Sequence, residues 1–154
     1  DTTALQYLHQ VGHLHLLPSI ADRVWVPPQV IEELEEGRSH GVDLPVVSSL
    51  AWATLRAPST SPALPRGNEL GPGETQVLHV AMEDPALIAV LDDRVAREVA
   101  QAVGARFTGT LGLLLDAKRR GLIPAVTPLM DQLQARGFRV SRATRSAVTR
   151  AAGE

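Results

Sequence analysis

The sequence predicts a single α/β domain over residues 1–154, arranged as a three-layer α/β/α sandwich around a mainly parallel sheet. Short β-favouring runs alternate with helical stretches along most of the chain. Residues 86–91 form an unbroken apolar run, which is typical of a strand buried on both faces of a parallel sheet. With 154 residues and 44% hydrophobic content, the chain can build one core and is too short for two ordinary domains.

The first third of the chain predicts three helical segments and two strands. Leu5 and Leu8 lie one helical turn apart, and Gly12 ends their helix. Pro28 suits the first position of a later helix, which Gly37 ends. In order, the predicted elements are a helix over 2–10, a short turn over 14–17, a strand over 24–26, a helix over 29–36 and a strand over 45–49.

The remainder of the chain begins with a proline-rich stretch over 57–73, which predicts a long surface loop. Beyond it, Asp92 or Asp93 suits the N-cap of one helix and Ser141 the N-cap of the last. The predicted elements are a helix from about 74 to 83, a central strand over 86–91, a helix from about 94 to 103, a strand over 105–108, helices over 110–120 and 127–136, and a basic C-terminal helix or tail over 139–154.

Charge is distributed unevenly along the chain. Residues 1–93 hold 13 acidic residues and four arginines, whereas residues 94–154 hold 11 basic and four acidic residues. An acidic metal site needs basic surroundings before a polyanion will approach, so this asymmetry indicates a negatively charged partner. The alternative, that the C-terminal arginines only decorate solvated helix faces, stays open.

Composition excludes some classes of function. The chain has no cysteine, so disulfides and thiolate chemistry are ruled out. No apolar run approaches membrane-spanning length and no leader-like segment opens the sequence, so we expect a cytoplasmic protein with no membrane contact. Only 3% of residues are aromatic, so any nucleic-acid contact should run mainly through phosphates.

Carboxylates stand where helices start or apolar runs end. In a parallel α/β sheet, ligands bind just beyond the carboxyl ends of the strands, so such acids can converge on one hard cation. Close carboxylates also repel one another, so either their pKa values rise or a cation binds. Taken singly, each acid has a structural alternative as a helix cap or a solvated side chain. The acids are Asp1, Glu33, Glu74, Asp92 and Asp93.

Five segments also carry a family resemblance. They are DTTAL at 1–5, VPPQVIEEL at 26–34, GPGE at 71–74, LDDRVAR at 91–97 and TGTLGLL at 108–114. In this order they resemble the PIN domain family, and within it a prokaryotic subfamily related to the toxins of type II toxin-antitoxin pairs. The resemblance implies a PIN-like sandwich and a Mg²⁺- or Mn²⁺-dependent endoribonuclease. It further implies RNA as substrate, an antitoxin protein as partner and a homodimer.

The resemblance also implies roles for individual acids. Asp1 matches the first metal-binding aspartate, Glu33 the second acid and Glu74 the third. Glu32 is the one-residue-shifted competitor of Glu33. Asp93 is preferred as the fourth acid, with Asp92 close behind it. The implied catalytic set is Asp1, Glu33, Glu74 and Asp93, and the implied metal ligands are Asp1, Glu74, Asp92 and Asp93.

Three further residues are candidates for the substrate side of the site. Thr108 and Thr110 would hold water or phosphate nearby. Arg94 would contact a substrate phosphate or orient Asp93. Arg97, one helical turn later, fits a substrate contact and a structural ion pair equally well.

Other functional classes remain as alternatives. The family pattern places a strand before its first aspartate, and none precedes Asp1 in this sequence. Either that strand lies ahead of this numbering or the sheet lacks it, and the second case favours a catalytically inactive PIN-like module that binds RNA or protein. A metal-dependent phosphatase is weaker, because no Asp-x-Asp motif follows a strand. His9, His13 and His15 resemble a zinc cluster but lack a fourth ligand.

Overall fold

Eight α-helices and four short parallel strands make up the computed structural model, which describes residues 1–154. The helices are α1 (Thr2–Gln10), α2 (Leu16–Ile20), α3 (Pro28–Ser39), α4 (Pro72–Met82), α5 (Arg94–Ala102), α6 (Thr110–Arg119), α7 (Thr127–Ala135) and α8 (Arg142–Ala152). The strands are β1 (Val24–Val26), β2 (Ala53–Leu55), β3 (Ile88–Val90) and β4 (Arg106–Thr108). Parallel strands packed against helices confirm the predicted α/β class. None of the helices combines the length and hydropathy needed to span a membrane.

The sheet is divided into two half-sheets. β1 pairs with β2, and β3 pairs with β4, both in parallel. No backbone ladder joins β1 to β3. A largely apolar cavity of about 670 Å³ lies between the half-sheets and is lined by residues of β1, β3 and β4 together with α1, α4 and α6.

Each half-sheet has its own hydrophobic core. The larger cluster contains 20 buried residues and gathers α1, α3, α6 and α7 around β1, with Leu8, Leu34 and Leu114 fully buried. The smaller cluster contains seven buried residues from α4, β3 and α5, including Leu78. Val77 on α4 packs against both clusters. Helix packing, rather than a continuous sheet, therefore holds the two halves together.

The predicted strand over 45–49 is wrong. Val47–Ser49 is a 3₁₀ helix, and the Ser49 hydroxyl donates a hydrogen bond to the Val46 carbonyl at 2.7 Å. Such local serine bonds offer the backbone an alternative to a strand ladder. The strand lies instead at Ala53–Leu55, directly opposite β1.

The prediction of a central, doubly buried strand over 86–91 is also wrong in its extent and position. β3 is limited to Ile88–Val90 and has one strand neighbour, β4. Ile88 is 50% exposed because its side of the strand faces the cavity between the half-sheets. An apolar run indicates that a strand can be buried, but it does not reveal how many other strands pair with it.

Glu154 ties α8 to the rest of the chain. Its carboxylate accepts hydrogen bonds from the Lys118 ammonium at 2.7 Å and from the backbone N–H groups of Val126 and Thr127 at 2.6 and 2.8 Å. The Lys118 contact, followed by the Thr127 and backbone contacts, lowers the pKa of Glu154 from 4.5 to about 2. The ionised carboxylate therefore stabilises the folded state.

We expect Glu154→Gln to lower stability at neutral pH. Glutamine removes the charge that Lys118 binds and replaces one of the two acceptor oxygens, so one backbone N–H group also loses its partner. A lowered folded-state pKa contributes stability above the unfolded value of 4.5, and that contribution disappears as the pH falls toward about 2. Urea unfolding of both proteins at pH 7 and near pH 2.5 should show a difference that shrinks in acid. A difference independent of pH would mean that the charge contributes nothing.

Candidate active site

Five acidic side chains approach one end of the half-sheets from four helix starts and strand ends. Asp1 precedes α1, and Glu33 lies in the second turn of α3, which follows β1. Glu74 lies in the first turn of α4. Asp92 and Asp93 stand between β3 and α5. These positions match the rule that ligands of parallel sheets bind beyond the carboxyl ends of the strands.

Asp1 links α1 to the end of β3. Its Oδ1 accepts from the Ala4 N–H at 3.1 Å as the N-cap of α1, and its Oδ2 accepts from the Asp92 N–H at 2.9 Å. The Asp1 backbone nitrogen donates to the Val90 carbonyl at 2.7 Å. The carboxylates of Asp92, Glu74 and Glu33 lie close enough to this buried nitrogen to interact with it electrostatically. Three acids from different elements therefore act on the same point.

Glu33 connects α3 to the first turns of α1 and α4. Its Oε1 accepts from the Gly73 N–H at 2.8 Å, and its Oε2 accepts from the Thr2 hydroxyl. Glu32, the competing acid, is exposed and accepts from the side chain of Gln29 at 2.6 Å. The structure therefore places Glu33, and not Glu32, toward the other acids.

Glu74 is a helix cap in a crowded electrostatic environment. Its Oε2 accepts from the Gly71 N–H at 3.0 Å. Burial is the main cause that raises the pKa of Glu74 above 4.5, and the negative charges of Asp93 and Glu33 raise it further. The Gly71 hydrogen bond partly opposes the shift. Ionised Glu74 is thus a group that a nearby cation would stabilise.

Asp92 and Asp93 are adjacent but face different surroundings. Asp92 is 9% exposed and accepts from the backbone N–H of Thr110 at 2.9 Å, from its hydroxyl, and from Nη2 of Arg97 at 3.3 Å. Asp93 is exposed and caps α5 by accepting from the Ala96 N–H at 2.9 Å. One carboxylate is held within the fold, and the other stands at the rim.

The candidate substrate contacts fall in three different places. Arg94 is 79% exposed and pairs with Glu98 at 2.6 Å on the outer face of α5. Thr110 is buried and binds Asp92. Thr108 lines the cleft beside Asp92. Arg97 is the arginine that reaches the acids, because its Nε donates to the Leu91 carbonyl at 2.7 Å and its Nη2 to Asp92.

The histidines of the N-terminal segment take structural positions. His9 contacts Asp43 at 2.9 Å, and Nδ1 of His13 lies 2.7 Å from the Val11 carbonyl. His13 and His15 lie with ring centroids 5.6 Å apart. The structure assembles no group of three or more histidines and acids around a metal position there or elsewhere.

Comparison with known proteins decides the family. A family model described as a PIN domain matches residues 1–154. The chain belongs to the PIN domain family. No curated protein and no solved structure matches it. PIN domains are generally nucleases that use divalent metals; they bind RNA and often pair with antitoxins, so this chain is a nuclease-like module.

The acids of this PIN domain are suitable ligands for a divalent cation, but their side chains are not arranged around a single metal position. Hard cations such as Mg²⁺ prefer carboxylate oxygens, and the site offers five carboxylates. No three of them already surround a common point at metal-binding distances. Each also accepts at least one hydrogen bond from the protein. A carboxylate has about four lone-pair positions, so these bonds leave room for a metal.

Sequence reasoning missed the groups that hold the acids in place. A Cβ at Gly73 would lie 2.5 Å from Oε2 and 2.8 Å from Cδ of Glu33, so only glycine lets that carboxylate reach the helix start. A Cβ at Gly109 would contact Arg97 and lie 2.8 Å from Oδ1 of Asp92. Thr2 donates to Glu33 from the first turn of α1. The glycines next to the acidic motifs were the only sign of these close contacts in the sequence, which does not show which acid each glycine approaches.

We expect Gly73→Ala to destabilise the protein and displace Glu33. At an unhindered helical position, alanine would be about 1 kcal/mol better than glycine. Here the new methyl group overlaps the Glu33 carboxylate, so this side chain must turn away and lose its hydrogen bonds from Gly73 and Thr2, and a net loss of about 1–2 kcal/mol is expected. Urea unfolding at neutral pH measures the change.

Gly71→Ala is the matched control for this prediction. It lies two residues away, and its new Cβ would have ordinary contacts, 3.6 Å from Glu74 and 3.9 Å from Glu33. Its expected cost is that of replacing an N-cap glycine, below about 1 kcal/mol. Equal losses in the two variants would show that the approach of Glu33 to Gly73 is not a close contact.

Proposed function

We propose that this PIN domain is a metal-dependent endoribonuclease that hydrolyses RNA phosphodiester bonds with metal-activated water. The observation that carries the proposal is the convergence of Asp1, Glu33, Glu74, Asp92 and Asp93 from separate elements onto one end of the half-sheets. Helix capping alone does not require this convergence, because each acid could cap its own helix far from the others.

Electrostatics supports a cation at this position. Burial raises the pKa of Glu74, and the charges of Asp93 and Glu33 add to the shift, so ionising all the acids together costs free energy. A divalent cation would offset that repulsion. Family membership supports a divalent metal, and the carboxylate donors favour Mg²⁺ or Mn²⁺.

The position of each side chain in the site indicates its role. Asp1, Glu74, Asp92 and Asp93 would hold the metal, and Glu33 would complete the acidic set. When bound, the ion would supply an activated water and neutralise charge that develops on the phosphate. Thr110 and Arg97 fix the Asp92 carboxylate. Thr108, which lines the cleft beside Asp92, would contact the substrate.

The same proposal extends to biological role. PIN domains often pair with antitoxins, which supports the toxin half of a type II toxin-antitoxin pair, with an antitoxin that covers the site. A homodimer and a cytoplasmic location remain predictions of this role.

A second candidate is a catalytically inactive PIN-like module that binds RNA or protein. It is favoured by the absence of any three acids in metal-binding geometry. Metal binding and cleavage separate the two candidates.

We expect Asp93→Asn to abolish RNA cleavage without unfolding the protein. Asparagine is as good an N-cap as aspartate, so the hydrogen bond to Ala96 and the start of α5 are retained while the charge is lost. A loss of at least about 100-fold in the rate of single-stranded RNA cleavage with Mg²⁺ or Mn²⁺ is expected. Glu98→Gln is the control, because it removes an acid of the same helix that pairs on the outer face with Arg94 and Arg66. Similar cleavage rates in the two variants would show that RNA cleavage does not depend on the acidic site.

Calorimetric titration with Mn²⁺ should show binding to the unmodified protein and to Glu98→Gln. Binding should weaken by about 10-fold or more in Asp93→Asn and Glu33→Gln, since each removes one charge from the acidic set. Circular dichroism checks that all four proteins are folded. No binding to the unmodified protein would favour the inactive module over the nuclease.

A further inference from the structure

Beside the acids, a second cleft opens toward the C-terminal helix. It has a volume of about 350 Å³, and its walls come from the end of β4, the first turn of α6, helix α5 and the segment between α7 and α8. Asp92 forms part of its lining, so the cleft begins at the acidic site. Its other polar side chains are those of Arg97, Thr108, Arg139, Ser141 and Thr144.

Two arginines give this cleft positive charge that the protein does not neutralise completely. Arg139 is exposed and forms none of the nine ion pairs of the structure. Arg97 uses Nε and Nη2 for Leu91 and Asp92, while its Nη1 makes no hydrogen bond within the protein. Several basic residues elsewhere in the C-terminal half are instead paired with acids, including Lys118, Arg120 and Arg145.

A phosphodiester fits this combination of groups. Guanidinium groups donate in a planar fork that matches phosphate oxygens, and a positive cleft next to an acidic site lowers the cost of bringing a polyanion to it. Because Asp92 lines the cleft, a phosphate bound there would lie close to, but outside, the other acids.

We propose that the cleft binds a backbone phosphate of single-stranded RNA next to the bond that is cut, with Arg139 and Nη1 of Arg97 as its donors. The proposal rests on the nuclease function for its biological meaning and deepens it. One flank of the substrate leaves the acidic site along the cleft toward α8. Arg94, on the outer face of α5, takes no part in this contact.

Arg139→Gln tests the cleft, with Arg136→Gln as its matched control. Both arginines are exposed, neither forms an ion pair, and they lie three residues apart, but only Arg139 lines the cleft. Both changes are made in the Asp93→Asn protein, so that labelled single-stranded RNA is bound with Mg²⁺ present and not cut. Arg139→Gln should raise Kd about threefold to tenfold and reduce the salt dependence by about 0.7 of a unit of slope, the value for one phosphate contact. Arg136→Gln should change neither.

The outcomes separate this proposal from the nuclease function. Equal effects of Arg139→Gln and Arg136→Gln on RNA binding, or no RNA binding at all, would overturn the proposal that the cleft binds RNA. If the unmodified protein does not cut RNA but Arg139→Gln still weakens binding selectively, the nuclease proposal fails and the cleft stands as a binding site for an RNA phosphate. In an active enzyme, Arg139→Gln should raise KM with little change in kcat, whereas an unchanged KM would overturn the cleft alone.

Free phosphate is the other possible source of the same ligand chemistry. Inorganic phosphate, titrated against bound RNA at constant ionic strength, should displace it no better than sulfate does. Displacement by phosphate at much lower concentration than by sulfate, absent in Arg139→Gln, would assign the cleft to free phosphate and overturn RNA as its ligand.

Discussion

Backbone N–H groups hold like-charged carboxylates close together in this protein. Asp1 accepts from Ala4 and Asp92, Glu33 from Gly73, and Asp92 from Thr110. Each bond replaces part of the hydration that a carboxylate loses when it is partly buried. Because these donors lie mostly at helix starts, the partial positive charge of each helix N-terminus further reduces the repulsion. Helices α1, α4 and α6 therefore each direct an N-terminal backbone N–H group at an acid of the site.

Capping and metal binding are often treated as competing explanations of an acid at a helix start. Here they are compatible. Asp93 caps α5 and remains exposed at the rim, and Glu74 caps α4 while its pKa stays raised. A carboxylate that accepts one backbone hydrogen bond keeps other lone pairs and gains a fixed orientation, which favours a ligand role over a freely rotating side chain.

Local patterns predicted those parts of the fold that local energetics decide. The strand Val24–Val26 was found because its residues favour β structure and prolines follow it, and the helix over 2–10 because its apolar spacing is helical. The prediction of a strand over 45–49 failed for two reasons that the sequence pattern does not show. The Ser49 hydroxyl bonds to the local backbone, and β1 pairs with a later segment, Ala53–Leu55. The acids were visible as residues at helix starts, but Thr2, Gly73 and Arg97 act on them across 5 to 40 positions of sequence, and no local pattern records such contacts.

The acids also join the two halves of the fold. Glu33, on the helix that follows β1, accepts a hydrogen bond from Gly73 of α4, the helix that packs with β3 in the smaller core. Asp1, at the start of α1, accepts a hydrogen bond from the Asp92 N–H beyond the end of β3. The side chains of the acidic site are therefore also structural ties, so a substitution among them changes the contact between the two halves as well as the charge of the site.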